Sequence, residues 1–167
     1  MPNNKGPRAG IECKLYYQTT PAATFNVSAP TLVTEVQDLN VTFNKTAIDI
    51  VSRASQYKAA ISGAIDLAIN FSYLYQGDPD DAVFTAMRQA FINRTIWHWA
   101  VMDNLIATPG PAGSQGLTMP GEIMEFPIDQ PLEGHQKIDV VVRLSRVKIG
   151  SPAALIDPAW LIVAPTV

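Results

Sequence analysis

A chain of 167 residues is long enough to bury the core of one domain, and 47% of its residues are hydrophobic while only 16% are charged. The net charge of −3 argues against a protein held on nucleic acid by its charge, because such a protein needs a basic surface. So few charges predict that part of the surface is covered by something other than water.

Cysteine content and the N-terminal residues indicate the compartment. Cys13 is the one cysteine, which excludes an internal disulfide framework and a thiolate metal cluster, and we expect it to be buried on an early strand. The first residues lack the apolar segment of a signal peptide. The sequence contains no run of about 18 apolar residues, so we predict no membrane helix. We therefore expect synthesis in a reducing cytoplasm.

The first third of the chain predicts an arm, two strands and a loop between them. Residues 1–10 mix prolines and glycines with polar residues, which is typical of a flexible N-terminal arm. Residues 11–18 suit a first strand, and 19–30 suit a loop because they contain two prolines and several small residues. Apolar and polar residues then alternate over 32–44, which predicts a second strand.

The clearest strand pattern runs over residues 64–75, AIDLAINFSYLY, where every second residue is apolar. The predicted buried face consists of Ile65, Leu67, Ile69, Phe71, Tyr73 and Tyr75. Between 44 and 62 the chain makes a long, partly polar excursion, and long loops of this kind are usually functional or mobile. Gly63, at the entrance to the strand, is a candidate bulge or bend.

An amphipathic helix is predicted directly after this strand, over residues 79–93. Its apolar positions recur at helical spacing: Val83, Phe84, Met87, Ala90 and Phe91. Asp78 is predicted to cap the first turn, which Pro79 suits, and Asn93 is predicted to end the helix.

The middle of the chain predicts a strand followed by a long loop. Residues 95–103 are rich in aromatic and branched side chains, which is typical of a strand. Seven glycines and prolines over 104–121 predict a loop with room for a short strand around Leu117. Residues 122–128 predict an edge strand because they contain a proline.

The chain ends with one regular strand and an apolar segment. Residues 138–144 alternate between apolar and other side chains and predict a strand. Residues 150–167 contain three prolines, so they cannot form a long helix. Their large apolar side chains would be a liability in water, and we expect this segment to dock on this chain or on another subunit.

These elements predict a mainly β fold, a β-sandwich or partly open barrel with one flanking α-helix. One helix about 10 Å wide covers two or three strands spaced about 4.8 Å apart, so the other strands need a second sheet. The hydrophilic face of strands 64–75 and 138–144 has two interpretations. It is an ordinary solvated sheet face, or it lines a wet channel.

No motif predicts chemistry once its context is considered. Ser55 and Lys58 match S-x-x-K, but the companion motifs of the serine–lysine enzymes are missing. His98 and His135 lie in different segments without ligands at metal spacing, and the aspartates at 78–81 lack the rest of a calcium loop. We therefore predict no enzyme activity, no cofactor and no metal site.

Several short segments carry a resemblance to a known family. They are DLNVTFN (38–44), IDIVSR (48–53), GAIDLAINF (63–71), the helix DAVFTAMRQAFIN (81–93), AVMD (100–103) and the strand 138–144. With them the chain resembles the major tail tube protein of long, non-contractile phage tails. The resemblance covers residues 11–148 and leaves 149–167 as a C-terminal extension. It implies a structural virion protein with a β-sandwich and a flanking helix.

The resemblance also implies an assembly. In that family, hexameric rings stack into a hollow tube through which DNA passes. The implied partners are further copies of the chain and the tape measure, tail terminator and distal tail proteins, with DNA only in transit and no membrane. The implied location is the tail of a virion assembled in a host cell.

Two groups of residues receive roles from the resemblance. The implied channel-facing residues are Asp66, Ala68, Asn70, Ser72, Asp139, Arg143 and Ser145. The long loop is implied to stack one ring on the next through Lys45, Asp49, Arg53, Gln56, Tyr57 and Lys58. A channel wall without strong positive charge suits DNA passage, because a basic wall would hold the phosphates.

Two alternatives remain. A tube protein of a gene transfer agent or of a secretion-type injection system would give the same pattern. A monomeric β-sandwich binding module would instead use the aromatic strand around Trp97 and Trp99 as its binding platform.

Overall fold

A computed structural model of the chain describes residues 13–50, 59–75, 77, 80–109, 113–129, 136–149 and 154–165. The strands in these ranges are β1 (Lys14–Gln18), β2 (Thr31–Val33), β3 (Val36–Ile50), β4 (Ala59–Tyr75), β5 (Trp97–Met102), β6 (Ser114–Glu125), β7 (Ile128–Asp129), β8 (Gln136–Leu144), β9 (Lys148–Ile149), β10 (Ala154–Leu155) and β11 (Ala159–Val163). The helix is α1 (Ala82–Asn93). The predicted mainly β fold with one flanking helix is confirmed for the described part of the chain.

Nine strands form one antiparallel sheet that is bent into two layers. Its order is β2-β1-β5-β6-β8-β4-β3, with β11 also paired to β6 and β7 to β8. The long strand β6 belongs to both layers, because its first half pairs with β5 and β11 and its second half pairs with β8. Since β2 and β3 are the two ends of this order, the described strands form an open sheet rather than a closed barrel.

The two layers enclose one hydrophobic core. Its middle comes from the apolar positions predicted for the central strand, Leu67, Ile69, Phe71 and Tyr73. The late strand β8 adds Ile138, Val140 and Val142, and the other layer adds Leu15, Tyr17, Trp97 and Trp99. The ring of Phe71 lies 6.0 Å from that of Trp99, so the layers are in contact. Ile65 continues the same alternation but is exposed.

A second apolar cluster lies on the layer that contains β1 and β5, on the side facing away from the core. It contains the buried residues Tyr16, Phe25, Ala100, Met102 and Ile106. Leu161 and Val163 of β11 pack against it, so the apolar C-terminal segment docks on its own chain. The alternate residues of β11, Trp160 and Ile162, remain exposed.

The helix begins later than the sequence predicts. Its N-cap is Asp81, whose Oδ1 accepts a hydrogen bond from the amide of Phe84 at 2.9 Å. The predicted cap Asp78 and Pro79 lie outside the described residues. The last helical residue is Asn93, as predicted, and Arg94 follows in the left-handed conformation with φ 53°. Met87 and Ala90 are buried against the core.

The predicted loop over 104–121 is wrong from Ser114 onward, because the interior half of β6 begins there. The predicted edge strand over 122–128 agrees with the structure, since residues 122–125 and 128 pair with β8 alone in the described part of the chain. Gly116 lies so close to β5 that a Cβ would be 1.9 Å from the carbonyl oxygen of Val101. This glycine allows two strands to approach and does not make a turn. Pro120 sits inside the strand, and its carbonyl oxygen accepts a hydrogen bond from the amide of Ser145 at 3.0 Å.

The predicted excursion over 44–62 is shorter than expected. β3 continues to Ile50 and β4 already begins at Ala59, so the two strands form a long paired hairpin. Of the implied ring-stacking residues, Lys45 and Asp49 lie in β3. The others, Arg53, Gln56, Tyr57 and Lys58, lie outside the described residues.

Cys13 is exposed directly before β1, so the prediction of a buried cysteine is wrong. The apolar side chains of β1 begin two residues later, at Leu15, which places Cys13 at the rim of the core. The predicted N-terminal arm, residues 1–10, lies outside the described residues.

Candidate functional site

The implied channel-facing residues share one side of the layer formed by β3, β4 and β8. Ala68 pairs with Arg143 and Ser72 pairs with Asp139 across β4 and β8. Paired residues of neighbouring strands point to the same side, and here that side is opposite to the core. We call it the polar face. Its members among the implied residues are Asp66, Ala68, Asn70, Ser72, Asp139 and Arg143.

Hydrogen bonds join the strands across the polar face. Arg143 Nη1 lies 3.1 Å from Asp66 Oδ2, and Asn70 Nδ2 donates to Thr42 Oγ1 at 3.3 Å. These contacts link β8 to β4 and β4 to β3. One contact joins opposite charges and the other joins two uncharged groups, so neither leaves an excess of positive charge on the polar face.

Ser72 and Asp139 form the shortest side-chain contact described on the polar face. The hydroxyl of Ser72 donates to Asp139 Oδ1 at 2.6 Å, and Ser72 is itself only 4% exposed in the single chain. This hydrogen bond, followed by the nearby ammonium of Lys137 at 3.4 Å, holds the pKa of Asp139 below its usual value. Lys137 also lies 3.7 Å from Asp38, so each of these carboxylates has a cation beside it.

Ser145, the last implied channel-facing residue, follows the end of β8. Its amide donates to the carbonyl of Pro120, which ties it to β6 rather than to the middle of the polar face. The structure therefore brings six of the seven implied residues together on strands and places the seventh at their border.

A projecting ribbon extends the layer beyond the core. We define it as residues 43–50 of β3 and 59–67 of β4. Going along β4 toward Ala59, the core ends at Leu67, because the side chains described beyond it are not buried. The eight residues from there to Ala59 span about 26 Å at about 3.3 Å per residue. A two-stranded ribbon of this kind is marginally stable in water, so it is suited to rest on a partner surface.

A bulge divides the ribbon at Gly63, as the sequence predicts. Lys45 pairs with Ile65 and Ala47 pairs with Ser62, so one residue of β3 faces two of β4. The close approach there needs glycine, because a Cβ on Gly63 would lie 2.8 Å from a carbonyl oxygen of β3.

The bulge changes which side chains of β4 face the core side. β3 keeps its alternation through this region, so Ile48, like Asn44, points to the polar face. Its partner Ile61 therefore points there too, although Ile65 points to the core side. The tip of the ribbon is apolar on the side where the body is polar.

A second bulge, which the alternation pattern does not predict, lies at the other end of β3. Gln37 pairs with Ser72 and Asn40 with Asn70, so two residues of β3 face one of β4. The first of them, Asp38, adopts φ 52°, a left-handed conformation that aspartate tolerates better than most residues. The only signal in the sequence is the break in alternation before residue 39.

No protein-family model and no curated protein sequence matches the chain. Solved structures do match it. One is the SPP1 tail tube, at 14% identity and a TM-score of 0.67, covering 95% of this chain and 81% of that one. Another is the tail of an empty gene transfer agent particle with C6 symmetry, at 14% identity and a TM-score of 0.59, covering 83% and 95%. The chain has the tail tube protein fold.

A third match extends this likeness to another kind of particle. It is a chain of the six-fold symmetrised baseplate of the anti-feeding prophage, at 6% identity and a TM-score of 0.52, covering 94% of this chain and 97% of that one. The tail tube fold accounts for both the two-layered sheet and the flanking helix of this chain.

The aromatic platform of a binding module is not present at the surface. Trp97 and Trp99 are buried, Trp97 stacks on Tyr17 at 4.4 Å, and Trp99 Nε1 donates to the carbonyl of Gly121 at 3.2 Å. Both side chains therefore serve the core of the tail tube fold.

Metal-ligand side chains do not cluster in threes within the described ranges. Among the same residues, no helix combines the length and the apolar character that a membrane crossing requires.

Proposed function

We propose that the chain is the subunit of a tail tube, built from stacked rings around a channel that DNA crosses. The observation that carries this proposal is the match to the SPP1 tail tube over 95% of the chain. The function is then geometric, with no bond made or broken, and the protein is a structural component of a virion tail. The C6 symmetry of the matched gene transfer agent tail supports hexameric rings.

The two end strands of the layer that contains β3, β4 and β8 support ring closure, because each can pair with a strand of a neighbouring subunit. β3 is a 15-residue end strand, and the opposite border is formed by the second half of β6 and by β7. A long end strand invites pairing with another copy, and a head-to-tail contact that closes produces a ring. In the proposed ring, β3 of one subunit pairs with the β6–β7 border of the next.

The polar face suits the channel wall. Its cross-strand contacts pair Asp66 with Arg143 and place Lys137 between two carboxylates, which leaves a wall without a run of unpaired cations. Such a wall gives DNA phosphates few sites at which to stop. The core side then faces outward, where the layer containing β1 and β5, together with α1, covers it.

The ribbon is suited to stack one ring on the next. It extends about 26 Å beyond the core, and its exposed isoleucines need a partner surface. Stacking through a projecting two-stranded element makes the contact between rings without a change in the body of the subunit. The remaining proposed partners are the tape measure, tail terminator and distal tail proteins at the ends of the tube.

A second candidate is the tube of a gene transfer agent or of a secretion-type injection system. The matches to a gene transfer agent tail and to the anti-feeding prophage baseplate favour it. The same subunit geometry serves both functions, and the cargo in the channel distinguishes them.

Electron microscopy of concentrated, purified protein tests the proposal. We expect rings or tubes with a central channel. A protein that remains monomeric at every concentration, with an ordered segment between β3 and β4, would overturn it. Nucleic acid inside tubes isolated from producing cells would favour a tail or gene transfer agent over a secretion tube.

A further inference from the structure

A head-to-tail ring brings together two different surfaces of the same subunit. The side chains that meet at this boundary can be inferred if the proposed function, a ring of identical subunits, is taken as the starting point. Among the described residues, large exposed apolar side chains occur at both ends of the layer β3–β4–β8–β7. Exposed apolar groups at the two ends of one layer are candidates for mutual burial.

The first group lies at the β3 end. Phe43 is 59% exposed and pairs with Leu67, which is buried, so Phe43 points to the core side of the sheet. Ile65, 53% exposed, points to the same side from β4, one strand further in. We call Phe43 and Ile65 the ribbon patch.

The second group lies at the opposite border. Ile128 of β7 is 47% exposed and pairs with the buried Ile138, so it also points to the core side. Phe91 and Ile92 at the end of α1 are also exposed, and the ring of Phe91 lies 6.0 Å from that of Phe126, which precedes β7. We call Phe91, Ile92 and Ile128 the helix patch.

The two patches lie at different heights along the strands of one subunit. Ile128, Ile138, Tyr73 and Val36 form one row across the sheet. Phe43 belongs to the row of Leu67, which is six positions from Tyr73 along β4. A flat continuation of the sheet would therefore keep the patches apart.

A closed barrel removes this difference in height. Barrel strands tilt by about 35–45° from the axis, so identical subunits meet with an offset along the strands. For four strands spaced about 4.8 Å apart, the offset is about 13–19 Å, or four to six residues. Because β3 begins at Val36, an offset away from the ribbon would leave β7 without a partner strand. The offset toward the ribbon carries Ile128 of one subunit to the height of Phe43 of the next.

We infer that the ribbon patch of one subunit packs on the helix patch of its neighbour, forming an apolar seam on the outer side of each ring boundary. The partner is a second copy of this chain. The seam covers Phe43 and Ile128, which the isolated subunit leaves in water, and it fixes the register at which β3 meets β7.

Disulfide trapping tests the seam. In a Cys13→Ser background, which removes the one native cysteine, the double variant F43C/I128C is assembled and then oxidised. Cysteines whose Cα atoms lie within about 7 Å can form a disulfide. We expect a ladder of covalent multimers that ends at the closed ring. The single variants F43C and I128C should give no ladder, because each boundary then contains one cysteine.

The matched control uses the neighbouring residue of the same strand. Asn44 points to the polar face, so N44C/I128C places the two cysteines on opposite sides of the sheet. We expect no ladder from this pair. Equal cross-linking of both pairs, or rings and tubes of F43C/I128C without cross-links, would overturn the seam while leaving the proposed function intact. Absence of rings and tubes from the unmodified chain would overturn both.

A second measurement uses serine substitutions. Phe43→Ser and Ile65→Ser should fold normally because both side chains are exposed in the single chain. We expect each to raise the protein concentration needed for assembly by about tenfold, the loss of one apolar contact. Val27→Ser, at an exposed valine outside both patches, is the control and should assemble as the unmodified chain does. Unchanged assembly of Phe43→Ser would contradict the seam.

Discussion

The hydroxyl of Tyr73 donates a hydrogen bond to Oδ2 of Asp81 at 2.7 Å, and Oδ1 of the same carboxylate caps the helix through the amide of Phe84. One side chain thus fixes the start of α1 to the central strand of the core. Burial, followed by the hydrogen bond to Asp81, raises the pKa of Tyr73, so its proton is retained for this contact.

Replacement of Asp81 by alanine should therefore destabilise the subunit by about 1–3 kcal/mol, because the helix loses its cap and a partly buried hydroxyl loses its acceptor. Tyr73→Phe should cost less, since the cap remains. Gln89→Ala, on an exposed turn of the same helix, is the matched control. Chemical denaturation measures all three, and an equal cost for Asp81→Ala and Gln89→Ala would contradict this role.

Gly116 should be intolerant of even one added methyl group. A Cβ there would lie 1.9 Å from the carbonyl oxygen of Val101, so β5 and β6 would have to separate. We expect Gly116→Ala to lower the free energy of unfolding by more than about 3 kcal/mol. At Gly77 no atom lies within 4 Å of the position that an added Cβ would take, and only the φ of +74° opposes alanine, at about 1–2 kcal/mol. Thermal melts of the two variants should rank in this order.

His98 should make the fold sensitive to mild acid. It is 2% exposed, its Nδ1 has no hydrogen-bond partner in the described part of the chain, and the ring of Phe25 packs edge-on at 5.3 Å. Burial lowers the pKa of His98 below 6.5. The unfolded chain therefore binds the proton first as the pH falls, and stability present above pH 6.5 is lost below it.

The measurement is the free energy of unfolding at pH 8 and pH 5. We expect His98→Leu to lose less stability between these two values than the unmodified chain does. The same loss in both proteins would mean that another group carries the acid sensitivity.

The pKa of Asp139 should lie below its usual range, and the hydroxyl of one residue, Ser72, should be the main reason. The hydrogen bond from Ser72 is the largest cause of its lowered pKa, ahead of the nearby Lys137. The stability it contributes is present above the ordinary carboxyl pKa and is lost as the pH falls through the folded value. Because the carboxylate is largely exposed, we expect a small effect on stability.

The clearer readout is the titration of the Asp139 carboxyl group by NMR. Ser72→Ala should raise its pKa toward the ordinary value, whereas Asn70→Ala, which loses a bond to Thr42 instead, should not. A shift of the same size in both variants would contradict the assignment.

Substitutions on the two sides of β11 should have different effects: one should weaken folding, and the other should weaken assembly. Leu161 packs on the outer cluster, so Leu161→Ser should lower the free energy of unfolding by about 1–3 kcal/mol. Trp160 is 62% exposed, so Trp160→Ser should change it by less than about 0.5 kcal/mol while weakening assembly, since we expect an exposed tryptophan to serve a contact between subunits. Denaturation and electron microscopy of both variants distinguish these outcomes. Normal tubes from Trp160→Ser would show that this residue is not part of a subunit contact.

Elements of this fold are predictable from sequence where one rule decides the structure. Strict alternation locates β4 and β8, because a one-residue shift would turn their apolar side chains into water. Helical spacing locates α1, although its cap is Asp81 rather than Asp78.

Other elements are not predictable, because tertiary contacts override a local signal. Gly116 and Gly121 resemble turn residues in the sequence, yet both lie in β6 where neighbouring chain atoms leave no room for a side chain. The implied polar face forms one surface because its members follow the alternation of two paired strands. The register that brings Ser72 to Asp139 depends on which strands are neighbours, which no local pattern encodes.

The bulge at Gly63 makes the ribbon sensitive to the relative length of its two strands as well as to the glycine itself. Inserting one residue into β3 opposite the bulge would restore an unbroken alternation along β4, and Ile61 and its partner Ile48 would both turn to the opposite side. No amino acid would have been exchanged, yet the surface offered to a neighbouring ring would be inverted. Positions of the ribbon other than Gly63 should therefore tolerate substitutions far better than an insertion into one strand.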